Sequence, residues 1–140
     1  MTDITLAQAV RIIDAALSEA RKLNLAPLTV AVLDRGGHVT SVMREDNSSN
    51  LRAEIAIGKA RGALGLGFSS RVMAERAAHL PQFFTALAAL TEGNLIPVPG
   101  GVLIQDEQQH VRGAVGISGD TGDNDEKCAL AALATLKLDD

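Results

Sequence analysis

Apolar residues near the amino end recur at helical spacing: Leu6, Val10, Ile13, Leu17 and Leu23. That period predicts an amphipathic helix. Thr5 and Gln8 stand three apart at its start, the pattern of a capping box. Arg21 and Lys22 sit at its end, where positive charge complements the helix dipole, and Pro27 stops it. Leu28 to Leu33 is an almost unbroken apolar run, short enough for a buried strand. Asp34-Arg35-Gly36-Gly37 is turn chemistry, and His38 to Met43 returns as a second strand, which predicts a β-hairpin.

After the charged triplet Arg44-Glu45-Asp46, the polar stretch Asn47-Ser48-Ser49-Asn50 supplies N-cap candidates for a helix over 51–64. Ala53, Ile57, Ala60 and Leu64 share one face of that helix, and Gly65 and Gly67 break it. Ser69 and Ser70 are placed to cap a short helix ending near His79. Pro81 suits the first turn of another, over 82–91, closed by Gly93. Pro97-Val98-Pro99-Gly100-Gly101 leads irregularly into a strand over 102–105. A polar turn follows at 106–109, then a returning strand over 111–118, in which Gly113 and Gly116 mark a bulge or a close backbone approach. The pattern assigns 120–125 to a loop, with Asp123 or Asp125 capping a final apolar helix over 126–136. Helix, hairpin, helices, hairpin, helix is the order of an α+β domain, an antiparallel sheet flanked by helices. One domain over 1–140 is expected, without internal repeat or linker.

Composition narrows the function. The chain is 46% hydrophobic, enough for a core, and carries thirteen basic against seventeen acidic residues, a net charge of −4. Nucleic-acid binding would ask for a basic stripe instead. No apolar segment approaches the ~20 residues of a membrane span, and no basic-then-apolar leader is visible. With a single cysteine there is no internal disulfide framework, so a cytoplasmic protein is expected. There is no Trp or Tyr and only three Phe. A core built from small residues is thin, which predicts a homo-oligomer.

Several segments together resemble one family. Ala31 to His38 is similar to the first hairpin of GlcG/HbpS-like proteins, the haem-degrading-domain family. Arg44 and Asp46, Lys59-Ala60, Pro99 to Val102, Gly113 to Gly119 and Asp125 to Ala129 resemble its further motifs, in order, through nearly the whole chain. The resemblance implies a profilin-like or PAS-like sheet and assembly into dimers or larger rings. Members include haem-binding proteins, a domain attached to some cobalamin adenosyltransferases, and small proteins encoded beside catabolic enzymes.

Residue chemistry suggests a pocket for an anion. Gly100 and Gly101 offer backbone N–H groups without obstructing side chains, and Ser118 and Gly119 could add a hydroxyl and further donors. Arg44 offers a bidentate fork and Lys59 a point charge. Equally, these glycines satisfy tight turns and the charges solvated faces. Asp34 or Asp46 could act as a base, though Asp34 also suits capping its own turn. Among three histidines, none has zinc-site spacing, so no metal site is expected apart from haem iron. His79, beside Leu80, Phe83 and Phe84, is the candidate axial ligand; it could equally serve the helix end. Cys128 opens an apolar run and suits the core.

Two functions follow. One is a small-molecule-binding protein for haem, a corrinoid or a related ligand. The other is a cofactor-free isomerase, tautomerase or lyase acting on a small carboxylated catabolic metabolite, with Arg44, Lys59, Gly100, Gly101 and Ser118 as its pocket.

Overall fold

Thr5 accepts from the Gln8 N–H while the Gln8 side chain accepts from the Thr5 N–H, so the first helix, α1 (Leu6–Lys22), starts at the expected capping box. A computed structural model of the chain describes residues 3–138. The buried stripe of α1 is Ala9, Ile12, Ile13, Ala16 and Ala20, not the larger set expected, of which Leu6 and Leu23 are exposed. Packing explains the rotation. The last helix, α5 (Gly122–Ala134), lies against α1 and buries Cys128, Ala129 and Ala132, so alanines occupy the line where two helices and the sheet converge. Small side chains there let the helix axes approach.

Four strands form one antiparallel sheet in the order β2-β1-β4-β3: β1 (Thr29–Asp34), β2 (Val39–Arg44), β3 (Gly101–Gln105) and β4 (Val111–Ser118). Val30, Val32, Ile104, Val115 and Ile117 face α1 and α5 in the main core. On the opposite face Leu33 and Ala114 meet Ala60 of α2 (Arg52–Leu66). Burial on both faces accounts for the unbroken apolar run of β1. The fold is α+β, helices flanking an antiparallel sheet.

Glycine sets the α2–sheet distance. A Cβ on Gly116 would lie 1.9 Å from the Ala56 carbonyl oxygen, and one on Gly101 would lie 2.4 Å from that of Lys59. Only bare backbone allows α2 to rest directly on β3 and β4. The inward stripe of α2 is therefore Ala56, Lys59, Ala60 and Ala63; of the expected Ala53, Ile57, Ala60 and Leu64, only Ala60 is fully buried.

Helix ends differ from expectation in two places. α2 begins after Leu51, which has no side-chain oxygen to cap it, while the Ser48 hydroxyl is bonded to Thr29 (2.9 Å) across the loop. It runs past Gly65 and ends at Gly67, whose φ of 84° is the left-handed cap. α5 starts four residues earlier than expected: Thr121 is its cap, accepting from the Asn124 N–H, and Asp123 and Asp125 lie in the first turn, where carboxylates suit the helix dipole. Between α2 and β3, α3 (Ser70–His79) and α4 (Pro81–Leu90) close a second core of Ala63, Met73, Phe84 and Leu95. Among the described residues no helix is long and apolar enough to cross a membrane.

Candidate functional site

The residues expected to hold an anion fall in and around a polar seam beneath the amino-terminal half of α2. Thr29 is paired with Arg44 on one side and Ser118 on the other, so these three lie in one row across β2, β1 and β4. The Ser118 hydroxyl, fully buried, accepts from Arg52 (3.1 Å), and Arg44, on the exposed side, donates to the Ser48 carbonyl (2.6 Å). Lys59 is 2% exposed; its Nζ donates to the Ile117 carbonyl (2.8 Å) and to Asp125 Oδ2 (3.2 Å), while Asp125 Oδ1 accepts from the Asp120 N–H (3.0 Å). Burial pulls the Lys59 ammonium below its ordinary pKa and pushes the Asp125 carboxyl above its own; each partner's charge opposes the other's shift.

Little room is left in this seam. A Cβ on Gly100 would lie 2.9 Å from Lys59 Nζ, the Gly101 N–H donates to Ser70 Oγ (2.7 Å), and a Cβ on Gly119 would lie 2.3 Å from the Pro27 carbonyl oxygen. Lys59, Gly100 and Gly101 are thus brought together with their polar groups already paired or packed. Arg44 lies apart from them, in a shallow depression that it shares with Asp46, Arg21 and Leu17.

The other candidates lie elsewhere. Asp34 Oδ1 accepts from the Gly36 N–H (2.9 Å), the His38 N–H (3.0 Å) and His38 Nδ1 (3.1 Å), closing the β1–β2 turn. Burial raises the Asp34 pKa, but the hydrogen bonds from His38 and Gly36 outweigh it and hold the carboxyl below its usual value. His79 ends α3 at the surface beside exposed Leu80 and Phe83, while Phe84 turns inward. Cys128 is buried; desolvation first, then the charges of Asp125 and Glu19, push its thiol up to about 11.

An open site exists on the other half of α2. Arg61 to Leu66, the β1–β2 turn and the carboxyl end of α4 enclose a groove of ≈ 390 Å³. Leu64, Leu66, Leu87, Leu90 and Leu95 supply apolar walls, with Arg35 and Arg61 among the lining residues. The Arg61 guanidinium is positioned by a bond from Nε to the Gly37 carbonyl (3.2 Å), and Arg35 is bonded to Asp3 (3.0 Å). A Cβ on Gly65 would meet nothing within 4 Å, so the missing side chain is part of the groove's space. Sequence reading missed this site because its walls come from three separated segments. The available signal was a helix carrying Gly58, Gly62 and Gly65, which costs helix stability unless backbone or space is needed there. Gly58 and Gly62 admit Ile96 and Met73.

Comparison with known proteins completes the picture. The model of the haem-degrading HbpS-like proteins matches residues 4–134. A Klebsiella pneumoniae protein called ORFY has the same fold at 28% identity and a TM-score of 0.85, covering 98% of this chain and 94% of its own. A double mutant of Streptomyces reticuli HbpS aligns at 27% identity and a TM-score of 0.83, covering 99% and 90%. The protein of the PduOC–haem complex shares the fold at 21% identity, with a TM-score of 0.86 and 96% of each chain covered. No curated protein sequence matches. With a family model spanning nearly all of its length, this chain belongs to the HbpS-like haem-degrading protein family.

Proposed function

We propose that this protein binds a small ligand with an apolar body and carboxylate substituents, of the haem class, in the groove between the β1–β2 turn, α2 and α4. One observation carries the proposal: leucine walls and two arginines line the same open space of ≈ 390 Å³. That size lies in the usual range of ligand pockets, ~300–1,000 Å³, and mostly apolar walls with a few polar groups are their usual chemistry. Leucine side chains suit the face of a macrocycle, and a guanidinium suits a propionate, which it can bind in bidentate fashion. The lining suits a porphyrin's apolar faces and its carboxylates and holds no side chain that ligates iron; a bound haem would supply a redox-active iron and an intense visible absorption. Leu64, Leu87 and Leu90 would hold its faces, and Arg61 would orient its carboxylates.

Self-association and a cytoplasmic location belong to this proposal. Leu6, Leu51 and Phe83 each expose more than half of their surface, the kind of apolar surface that association covers. Spectroscopic titration with haemin, and fluorescence titration with iron-free protoporphyrin IX, tests the reading. Saturable binding of both, weakened by Arg61→Glu, is expected; absence of saturable binding of either sinks it.

A second reading rests on the depression shared by Arg44 and Asp46. There a guanidinium and a carboxylate could bind and deprotonate a small carboxylated metabolite in isomerase, tautomerase or lyase chemistry. Thermal stabilisation by small dicarboxylic acids, abolished by Arg44→Ala but not by Arg61→Glu, would favour it.

A further inference from the structure

Both arginines of the groove are held by their Nε groups, but by acceptors of different charge. Arg61 Nε donates to the Gly37 carbonyl oxygen (3.2 Å), a neutral acceptor. Arg35 Nε donates to Asp3 Oδ1 (3.0 Å), and the Arg35 backbone N–H donates to the same oxygen (3.0 Å). Arg35 and Gly37 stand two apart in the β1–β2 turn, so one turn anchors both cations of the groove lining.

Asp3 is held in place by its neighbour. Ile4 is 5% exposed, and its N–H donates to the Arg112 carbonyl (2.9 Å) at the start of β4. A segment tied to the sheet thus carries the carboxylate to the turn. The side chains of Asp3 and Arg35 are 46% and 41% exposed, and an ion pair so open to water adds little to stability. Holding two N–H groups needs only an acceptor oxygen, which an amide would supply as well. What the carboxylate adds is negative charge beside the groove. Arg61 has no such compensation: among the described residues no carboxylate is paired with it, and Glu54 and Glu92 share a neighbouring depression with it unpaired.

Two guanidinium groups and one carboxylate leave this end of the groove with one uncompensated positive charge. A ligand's first carboxylate gains a charge-assisted bond from the Nη groups of Arg61. A second carboxylate would meet Arg35 with Asp3 already beside it, so attraction to the one is offset by repulsion from the other. We infer that Asp3 is the specificity-determining residue of the groove: by compensating Arg35 it makes the groove read one carboxylate on an apolar ligand, not two. The inference rests on the proposed groove.

The test compares protoporphyrin IX, which carries two carboxylates, with its monomethyl ester, which carries one, by fluorescence titration. Neither contains iron. The wild-type chain is expected to bind the two within about twofold, the statistical advantage of a diacid that can present either group. Asp3→Asn keeps an acceptor oxygen for both Arg35 N–H groups and removes the charge; it should favour the diacid over the monoester by about a further fivefold, the upper range for an exposed charge pair. Arg35→Ala should leave the wild-type ratio unchanged, and the double variant Asp3→Asn, Arg35→Ala should lose the fivefold gain. A wild-type preference for the diacid that Arg35→Ala abolishes would overturn the inference without recourse to Asp3→Asn, since Arg35 would already be reading the second carboxylate. An unchanged ratio in a folded Asp3→Asn protein would overturn it too, and in both cases the groove would stand. Failure of wild type to bind either porphyrin would instead overturn the groove reading, and this inference with it.

Discussion

Both halves of α2 gather positive charge, yet one half is closed and the other open. Beneath the amino-terminal half, Lys59 and Arg52 are spent on Asp125, the Ile117 carbonyl and Ser118. Along the carboxyl-terminal half, Arg61 sits with Arg35 in a leucine-walled groove. Glycine makes the difference in both. Gly101 and Gly116 let the helix backbone settle on the strands until no space remains, whereas Gly65 faces nothing and leaves its space empty. A cluster of cations and glycines is therefore not by itself a ligand site; the approach of the backbone decides whether it is filled from within.

The largest effect expected from this contrast is on the closed side. Lys59→Met strands the Asp125 carboxyl in the interior, and loss of one member of a buried pair costs about 3–5 kcal/mol, to be read from urea unfolding. Gly116→Ala forces α2 off β4 and should cost about 1–3 kcal/mol, as overpacking does. Neither change should alter porphyrin affinity at temperatures where the variant is folded. On the open side the balance reverses. Arg61→Glu should leave the urea midpoint nearly unchanged while weakening haemin binding about tenfold, a difference of roughly 1.4 kcal/mol.

The smallest effect concerns acid stability. Hydrogen bonds from Asn124, Ala26 and Thr121 hold the Asp120 carboxyl below its ordinary value of 3.8, against a weaker opposing effect of burial. A depressed carboxylate stabilises the fold above its unfolded pKa, and that stability is lost as pH falls through the folded value. Asp120→Asn should therefore lower stability at neutral pH and flatten its decline below about pH 4. Equal slopes for the variant and wild type would show that Asp120 contributes nothing there.

Much of the fold was legible because it rests on local chemistry. The Thr5–Gln8 capping box, the turn at Asp34, Pro81 opening α4 and the span of β4 each need only a few adjacent residues. The side of α1 that packs was not legible: an exposed Leu6 and a buried Ala16 follow from where α5 lies, which no window on α1 contains. The start of α5 was obscured by acidic residues that read as a loop, although Thr121 and the dipole make them a first turn. At the candidate site, Lys59, Gly100 and Gly101 did converge, but their closure depends on a helix-to-strand distance set by Gly116. The groove depends on Arg35, Arg61 and Leu90, far apart in sequence. The Asp34–His38 bond was within reach of sequence reading, since both residues belong to one turn.

The most direct test of the account uses Gly65, where a side chain meets open space and the helix gains from any residue other than glycine or proline. Gly65→Ala should stabilise the protein by about 1 kcal/mol, and Gly65→Phe should fold while occupying the groove. The measurement is a protoporphyrin IX titration of Gly65→Phe beside wild type, with urea unfolding of both. The account predicts saturable binding by wild type and none by a variant at least as stable. Undiminished binding by a folded Gly65→Phe protein would contradict it and place the ligand elsewhere on the molecule.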